Sequence, residues 1–195
     1  MDAHVEQLEQ DIPVQPRKME FYIVSPEKFL LLYIGTFGMY SVYWFYKHWS
    51  QYKKSTHEDL WPVMRAIFAI FFVHSLFENF EQRYKIQTGK APTSIKYLAT
   101  IFVILSLVSN VLNILSRIDI GTLFTDYAAI LFLPVFCWTI YKAQILANKS
   151  GPDVGGLSNN KLTFLNYFWL LLGLVFWLLF LLGLFIIIFS DKPIS

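Results

Sequence analysis

The sequence predicts an all-α, multi-pass helical membrane protein with three full spans and two shorter membrane-embedded segments. Three observations predict it. Only 15% of the 195 residues are charged while 55% are hydrophobic, whereas a soluble domain carries roughly 25% charged residues. The charges cluster at 1–28, 47–65, 78–96 and 142–161, and the stretches between are nearly uncharged, as expected when loops carry charge and helices face lipid. Residues 164–189 contain no charge at all.

That last stretch is the clearest span. As a helix its 26 residues would reach roughly 39 Å. This exceeds a hydrocarbon core of about 30 Å and allows tilt. Ser190, Asp191, Lys192 and Pro193 end it.

A second span covers 97–115, YLATIFVILSLVSNVLNIL, with Tyr97 as an interfacial aromatic. Ser106, Ser109, Asn110 and Asn113 fall on one side. That side is expected to face other helices, because amides are costly against lipid. Its alternative role is to line a small polar path. A third span covers 127–141, with Pro134 inside and Lys142 just beyond Trp138 and Tyr141. A short loop joins these two spans, so they should form an antiparallel hairpin.

Two earlier segments are shorter. Residues 29–46 hold Gly35-Thr36-Phe37-Gly38 at their middle, where a helix could break and return to the same side. Residues 63–77 carry Arg65 and His74, but their centre, AIFAIFFV, is apolar all round. An interfacial helix would show a polar face. The all-round apolar centre argues for crossing. The charge distribution argues against it. If all five segments cross, the 16 Lys and Arg divide 10 to 6 between the two faces. If the first two only dip in, they divide 14 to 2, the stronger positive-inside bias. Both arrangements put the N-terminus in the cytoplasm and the C-terminus on the opposite face.

The first 28 residues are polar and include Pro13 and Pro16. They lack a basic start followed by an apolar core and read as a cytoplasmic tail rather than a signal peptide. The domain organisation is therefore this tail followed by a helical membrane domain over 29–195. Residues 148–160, NKSGPDVGGLSNN, read as a flexible loop.

Few side chains stand out as functional. Tyr40, Tyr43, Trp44 and Lys47 recur at helical spacing in a dense aromatic cluster. They read as an interfacial belt with Lys47 snorkelling to phosphates, the alternative being an aromatic cage for a quaternary amine. Arg65 is a charge in an apolar segment, either an anchor or a contact for substrate, lipid or partner. His74 and Glu78 share a helical face and are expected to touch rather than form half of a metal site. Cys137 is the one cysteine, which excludes an internal disulfide and Cys-based metal sites. A net charge of +2 points away from nucleic acid.

The run FYIVSPEKFLLLYIGTFGMYSVYWFYKHW, with the later WPVMRAIFAIFFVHSLF, resembles a group of short bacterial multi-pass membrane proteins of uncharacterised activity. The shared positions are Phe21-Tyr22, Val24-Ser25-Pro26, Thr36 to Gly38, Tyr40, Tyr43 to Lys47, Trp61-Pro62 and Arg65-Ala66. The core is also similar to domain-of-unknown-function membrane families with a Thr-Leu/Phe-Gly-Ile-Tyr element, where Met39 stands here for the Ile. The resemblance covers about a third of the chain well. It implies a bacterial inner-membrane location and transfers no site.

H-E-x-x-H and G-x-S-x-G signatures are missing, and the glycines at 151–156 are not followed by Lys-Ser/Thr. The expectation is a membrane protein that is not an enzyme, needs no cofactor, contacts the lipid bilayer, and organises lipids or a membrane-protein partner. The alternative is a small oligomeric transporter or channel, because one protomer has too few polar residues in its spans to form a path.

Overall fold

The structure is a computed structural model that describes residues 19–118, 120 and 123–190. The tail before Met19 and the terminator Asp191, Lys192 and Pro193 lie outside the described residues. Among the described residues there are seven α-helices, one 3-10 turn and no strand. The helices are α1 (Pro26–Gly35), α2 (Tyr40–Thr56), α3 (Pro62–Ile67), α4 (Ala69–Thr88), α5 (Lys96–Arg117), α6 (Leu123–Lys149) and α7 (Phe164–Ser190). Three are long and apolar enough to cross a membrane, over Lys96–Arg117, Ile130–Lys149 and Phe164–Ile186. The chain is a multi-pass helical membrane protein.

Segment 29–46 is two helices. Ser25 caps α1, its hydroxyl accepting from Lys28 N at 3.3 Å, with Pro26 in the first turn, a favoured start. The chain reverses at Thr36–Met39, where Phe37 (φ 55°) and Gly38 (φ 78°) are both left-handed. Gly38 suits that region and Phe37 does not. The Phe37 ring is held against Trp177, centroids 4.1 Å apart, and Phe180. A turn sunk among apolar helices must satisfy its own carbonyls. Leu32 O accepts from Thr36 N and Oγ1, Tyr33 O from Gly38 N, and Ile34 O from Phe37 N and Trp177 Nε1. Thr36 Oγ1 in turn accepts from Tyr40 N at 3.0 Å.

α2 then returns to the end of the bundle from which α1 started, here called the near end. Gln51 Nε2 donates to Met19 O at 3.1 Å, and Phe21 stacks on Tyr52. α3 dips inward beside α2, and the helix breaks at Phe68 (ψ 39°), so 63–77 is not one continuous helix. α4 runs back to the near end, where Arg83 pairs with Glu20 at 3.1 Å. Both short segments therefore enter and leave at the same end of the bundle.

α5 begins at the near end, beside α4, and runs to the far end at Arg117. α6 returns antiparallel to it, with Phe102 against Phe136. α6 continues past 141 to Lys149, eight residues beyond the span expected from sequence. The reason is amphipathicity. Lys142 and Lys149, two turns apart, are exposed, while Ala143, Gln144, Leu146, Ala147 and Asn148 are buried. Charge on one face ends a lipid-facing run without ending the helix.

The stretch after α6 is anchored rather than free. It contains the 3-10 turn Leu157–Asn159. Asn159 Nδ2 donates to Tyr22 Oη and to Ile23 O, both at 2.9 Å. Gly156 (φ 71°) lies so close to the Val24 carbonyl that a Cβ would collide with it. α7 packs on α1, where Gly173 meets the Gly35 carbonyl with no room for a side chain.

Candidate functional site

Two features lie where the hairpin of α1 and α2, α6 and α7 meet: a buried polar clasp and an apolar groove. The clasp is built on Gln144 and Asn148, one turn apart on the buried face of α6. Gln144 Oε1 accepts from Trp44 Nε1 at 2.5 Å and lies 3.1 Å from His48 Nε2. Gln144 Nε2 donates to Tyr22 O at 3.1 Å and to Asn148 Oδ1 at 2.6 Å. Asn148 Nδ2 donates to Val24 O at 2.9 Å. Trp44, His48, Gln144 and Asn148 are all fully buried. Each amide is used as donor and acceptor, so the network is close to saturated, the condition under which buried polar groups fix one geometry. It fastens the extended segment before α1 to the end of α6.

Lys28 extends this fastening. Its buried ammonium donates to Asn159 Oδ1 and to Lys161 O, both at 2.7 Å. Burial lowers its pKa from the ordinary lysine value. Burial also lowers the His48 pKa to about 3, against which its bond to Gln144 works only in part. His48 is thus neutral at physiological pH. Donating from Nε2 leaves its Nδ1 as the bare nitrogen, and that atom has no partner among the described residues.

The groove has a volume of about 620 Å³ and is lined by Leu32, Thr36, Met39, Tyr40, Val42, Tyr43, Tyr46, Val63, Ala66, Ile67, Leu165, Asn166 and Trp169. It exists because α7 touches α1 at the two glycines and stands off from α2 and α3. Its size falls within the range of small-molecule pockets, about 300–1,000 Å³. Its walls are almost wholly apolar. Thr36 is bonded within its own turn, and Asn166 Oδ1 accepts from Thr163 N at 2.9 Å. Met39 also lines a shallower apolar hollow of about 440 Å³ with Phe37, Phe176, Leu179 and Phe180.

The residues singled out in sequence divide around these features. Tyr40 and Trp44 are core side chains, not a belt, because α2 turns that face onto α1 and α6. Tyr43 is half-exposed, and the Lys47 ammonium lies over the rings of Tyr22 and Tyr43, 5.5 and 5.9 Å from their centroids. Arg65 lies over Trp49 at 4.4 Å and Phe72 at 5.1 Å, away from the groove lining. His74 does not touch Glu78. His74 Nε2 lies 3.1 Å from Thr100 Oγ1, and Glu78 pairs with Lys96 at 3.3 Å, because α5 offers each its own partner.

Among the described residues neither Asn110 nor Asn113 bonds across helices, contrary to expectation. Both are exposed, and Asn110 Nδ2 donates to Ser106 O of its own helix at 2.8 Å. α5 packs on its neighbours mainly through Leu98, Ala99 and Phe102, nearer its start. Among the described residues no group of three or more His, Cys, Asp or Glu could hold a metal.

Sequence reasoning missed Gln144, Asn148 and His48. The available signal was an i, i+4 pair of amides flanked by the small residues Ala143 and Ala147, which lets another chain approach closely. Comparison with family models, with curated proteins and with solved structures finds no match to this chain.

Proposed function

We propose that this membrane protein is non-catalytic and organises lipid, with the groove between the α1–α2 hairpin, α3 and α7 as its site. The observation that carries this reading is the apolar groove itself, whose rim residues Val42, Val63, Ile67 and Leu165 are exposed on the bundle surface. A crevice at membrane depth with apolar walls is filled by acyl chains, each buried methylene contributing about 0.8 kcal/mol. The clasp supports the same reading. Its buried side chains bond to one another and to backbone, which suits a rigid frame.

We place the protein in a bacterial inner membrane with the near end cytoplasmic. Arg117 is the one Lys or Arg at the far end among the described residues, the distribution that the positive-inside rule associates with a cytoplasmic near end. The test of function is retention and response. Protein extracted in mild detergent should carry lipid, and lipid added to stripped protein should raise its melting temperature. Stripped protein indifferent to every lipid added would refute the reading.

A second reading, a small oligomeric transporter or channel, draws on the outward amides of Asn110 and Asn113. They could line a path only between copies. Ion or solute flux in liposomes that is lost in Asn110→Leu and Asn113→Leu, with melting temperature unchanged, would promote it over the first.

A further inference from the structure

We propose that the groove takes one acyl chain of a net-anionic phospholipid from the near-end leaflet, with the lipid phosphate held by Lys47. This inference rests on the lipid-organising reading and adds the class of lipid and the residue that selects it. The groove spans only part of the membrane depth. Its α7 wall is Leu165, Asn166 and Trp169, within the first two turns of a helix that starts at the near end. Its inner limit is the reversal at Thr36 and Met39. That depth matches one leaflet, so a chain entering it has its headgroup at the near end. Two-chain and single-chain lipids fit alike, since a second chain can remain in the bilayer beyond the exposed rim.

Lys47 stands at that headgroup level. It is one residue beyond Tyr46 and one turn beyond Tyr43, both groove-lining, and its ammonium lies 5.9 Å from the Tyr43 ring centroid. No carboxylate pairs with it among the described residues, whereas Lys53, Arg83 and Lys96 each have one. The rings of Tyr22 and Tyr43 fix its position without cancelling its charge, since a cation over a π face remains a full cation. A fixed ammonium at the mouth of an apolar slot is complementary to a phosphate joined to an acyl chain. Arg65 on α3, next to the groove-lining Ala66, is stacked on Trp49 and Phe72 instead.

The test uses the full chain, stripped of lipid in mild detergent and titrated with dioleoylphosphatidylglycerol or dioleoylphosphatidylcholine, with one-to-one adducts counted by native mass spectrometry. The anionic lipid should bind at about fivefold lower concentration, the effect of one surface cation on an anionic headgroup. Lys47→Gln should abolish that preference and leave the phosphatidylcholine adduct in place. Val42→Trp and Ile67→Trp, both at exposed rim positions that leave the core untouched, should each weaken both lipids by about tenfold, equivalent to losing contact with about two methylenes. If wild type shows no preference, or Lys47→Gln retains it, the inference falls while the lipid-groove reading stands. If both tryptophan variants bind like wild type, or if a dimer forms that excludes the adduct, the groove is not a lipid site and both fall.

Discussion

Trp44 and Gln144, 100 positions apart in sequence, meet in the core of the bundle, the indole N–H donating to Oε1 at 2.5 Å. This bond joins α2 to the end of α6. Gln144→Leu would leave Trp44 Nε1 without an acceptor and Tyr22 O without its amide donor. A buried group stripped of its partner costs about 1–3 kcal/mol. We expect a loss of that size, measured by reversible unfolding in detergent, with membrane insertion unchanged. A melting temperature equal to wild type would show that the clasp contributes nothing to stability.

Acid should loosen the same clasp through His48. Its folded pKa is about 3 and its unfolded value about 6.5. The unfolded chain therefore binds the proton first, and stability present above pH 6.5 is lost as pH falls toward the folded value. At pH 5 the loss amounts to about 2 kcal/mol. Unfolding followed between pH 7.5 and 5 should show this slope in wild type, and His48→Asn should flatten it. An equal slope in both proteins would assign the effect elsewhere.

Gly173 and Gly183 lie on the same helix in opposite circumstances. A Cβ on Gly173 would collide with the Gly35 carbonyl, and one on Gly183 would meet nothing within 4 Å. Gly173→Ala should cost about 1–3 kcal/mol by overpacking and loosen Trp177 from Ile34 O. Gly183→Ala should be neutral or stabilise by up to about 1 kcal/mol through helix propensity. Melting curves with Trp177 fluorescence as probe would show the contrast, and equal behaviour would contradict the close crossing.

Labelling of single cysteines, in a Cys137→Ala background, reads the path of the chain. Lys54 and Ile118 are exposed at opposite ends of the bundle. With the near end cytoplasmic, Lys54→Cys should resist an impermeant thiol reagent in intact cells and Ile118→Cys should react. Labelling of both would mean that α1–α2 crosses the membrane, and the reversed pattern would invert the orientation.

The sequence by itself determined the fold class, because hydrophobicity and charge are local. Residues 164–189 carry no charge, and so few charges overall cannot cover a water-facing surface. It also marked Gly35 to Gly38 as a place where a helix breaks, since left-handed backbone favours glycine. Only tertiary structure decided which faces look inward. Trp44 and Lys47 share a helix and a motif, yet one is core and the other lies half-buried over two rings, because α1 and α6 cover only part of α2. Asn148 looked like loop and Asn110 like a helix contact, yet Asn148 is a buried contact on α6 and Asn110 faces outward on α5. A buried amide requires partners from distant segments, and Gln144 and Asn148 find theirs at Trp44, Tyr22 and Val24, more than 90 positions away. The groove likewise belongs to no single segment. It is the space left when α7 approaches α1 through two glycines and nothing else brings it to α2.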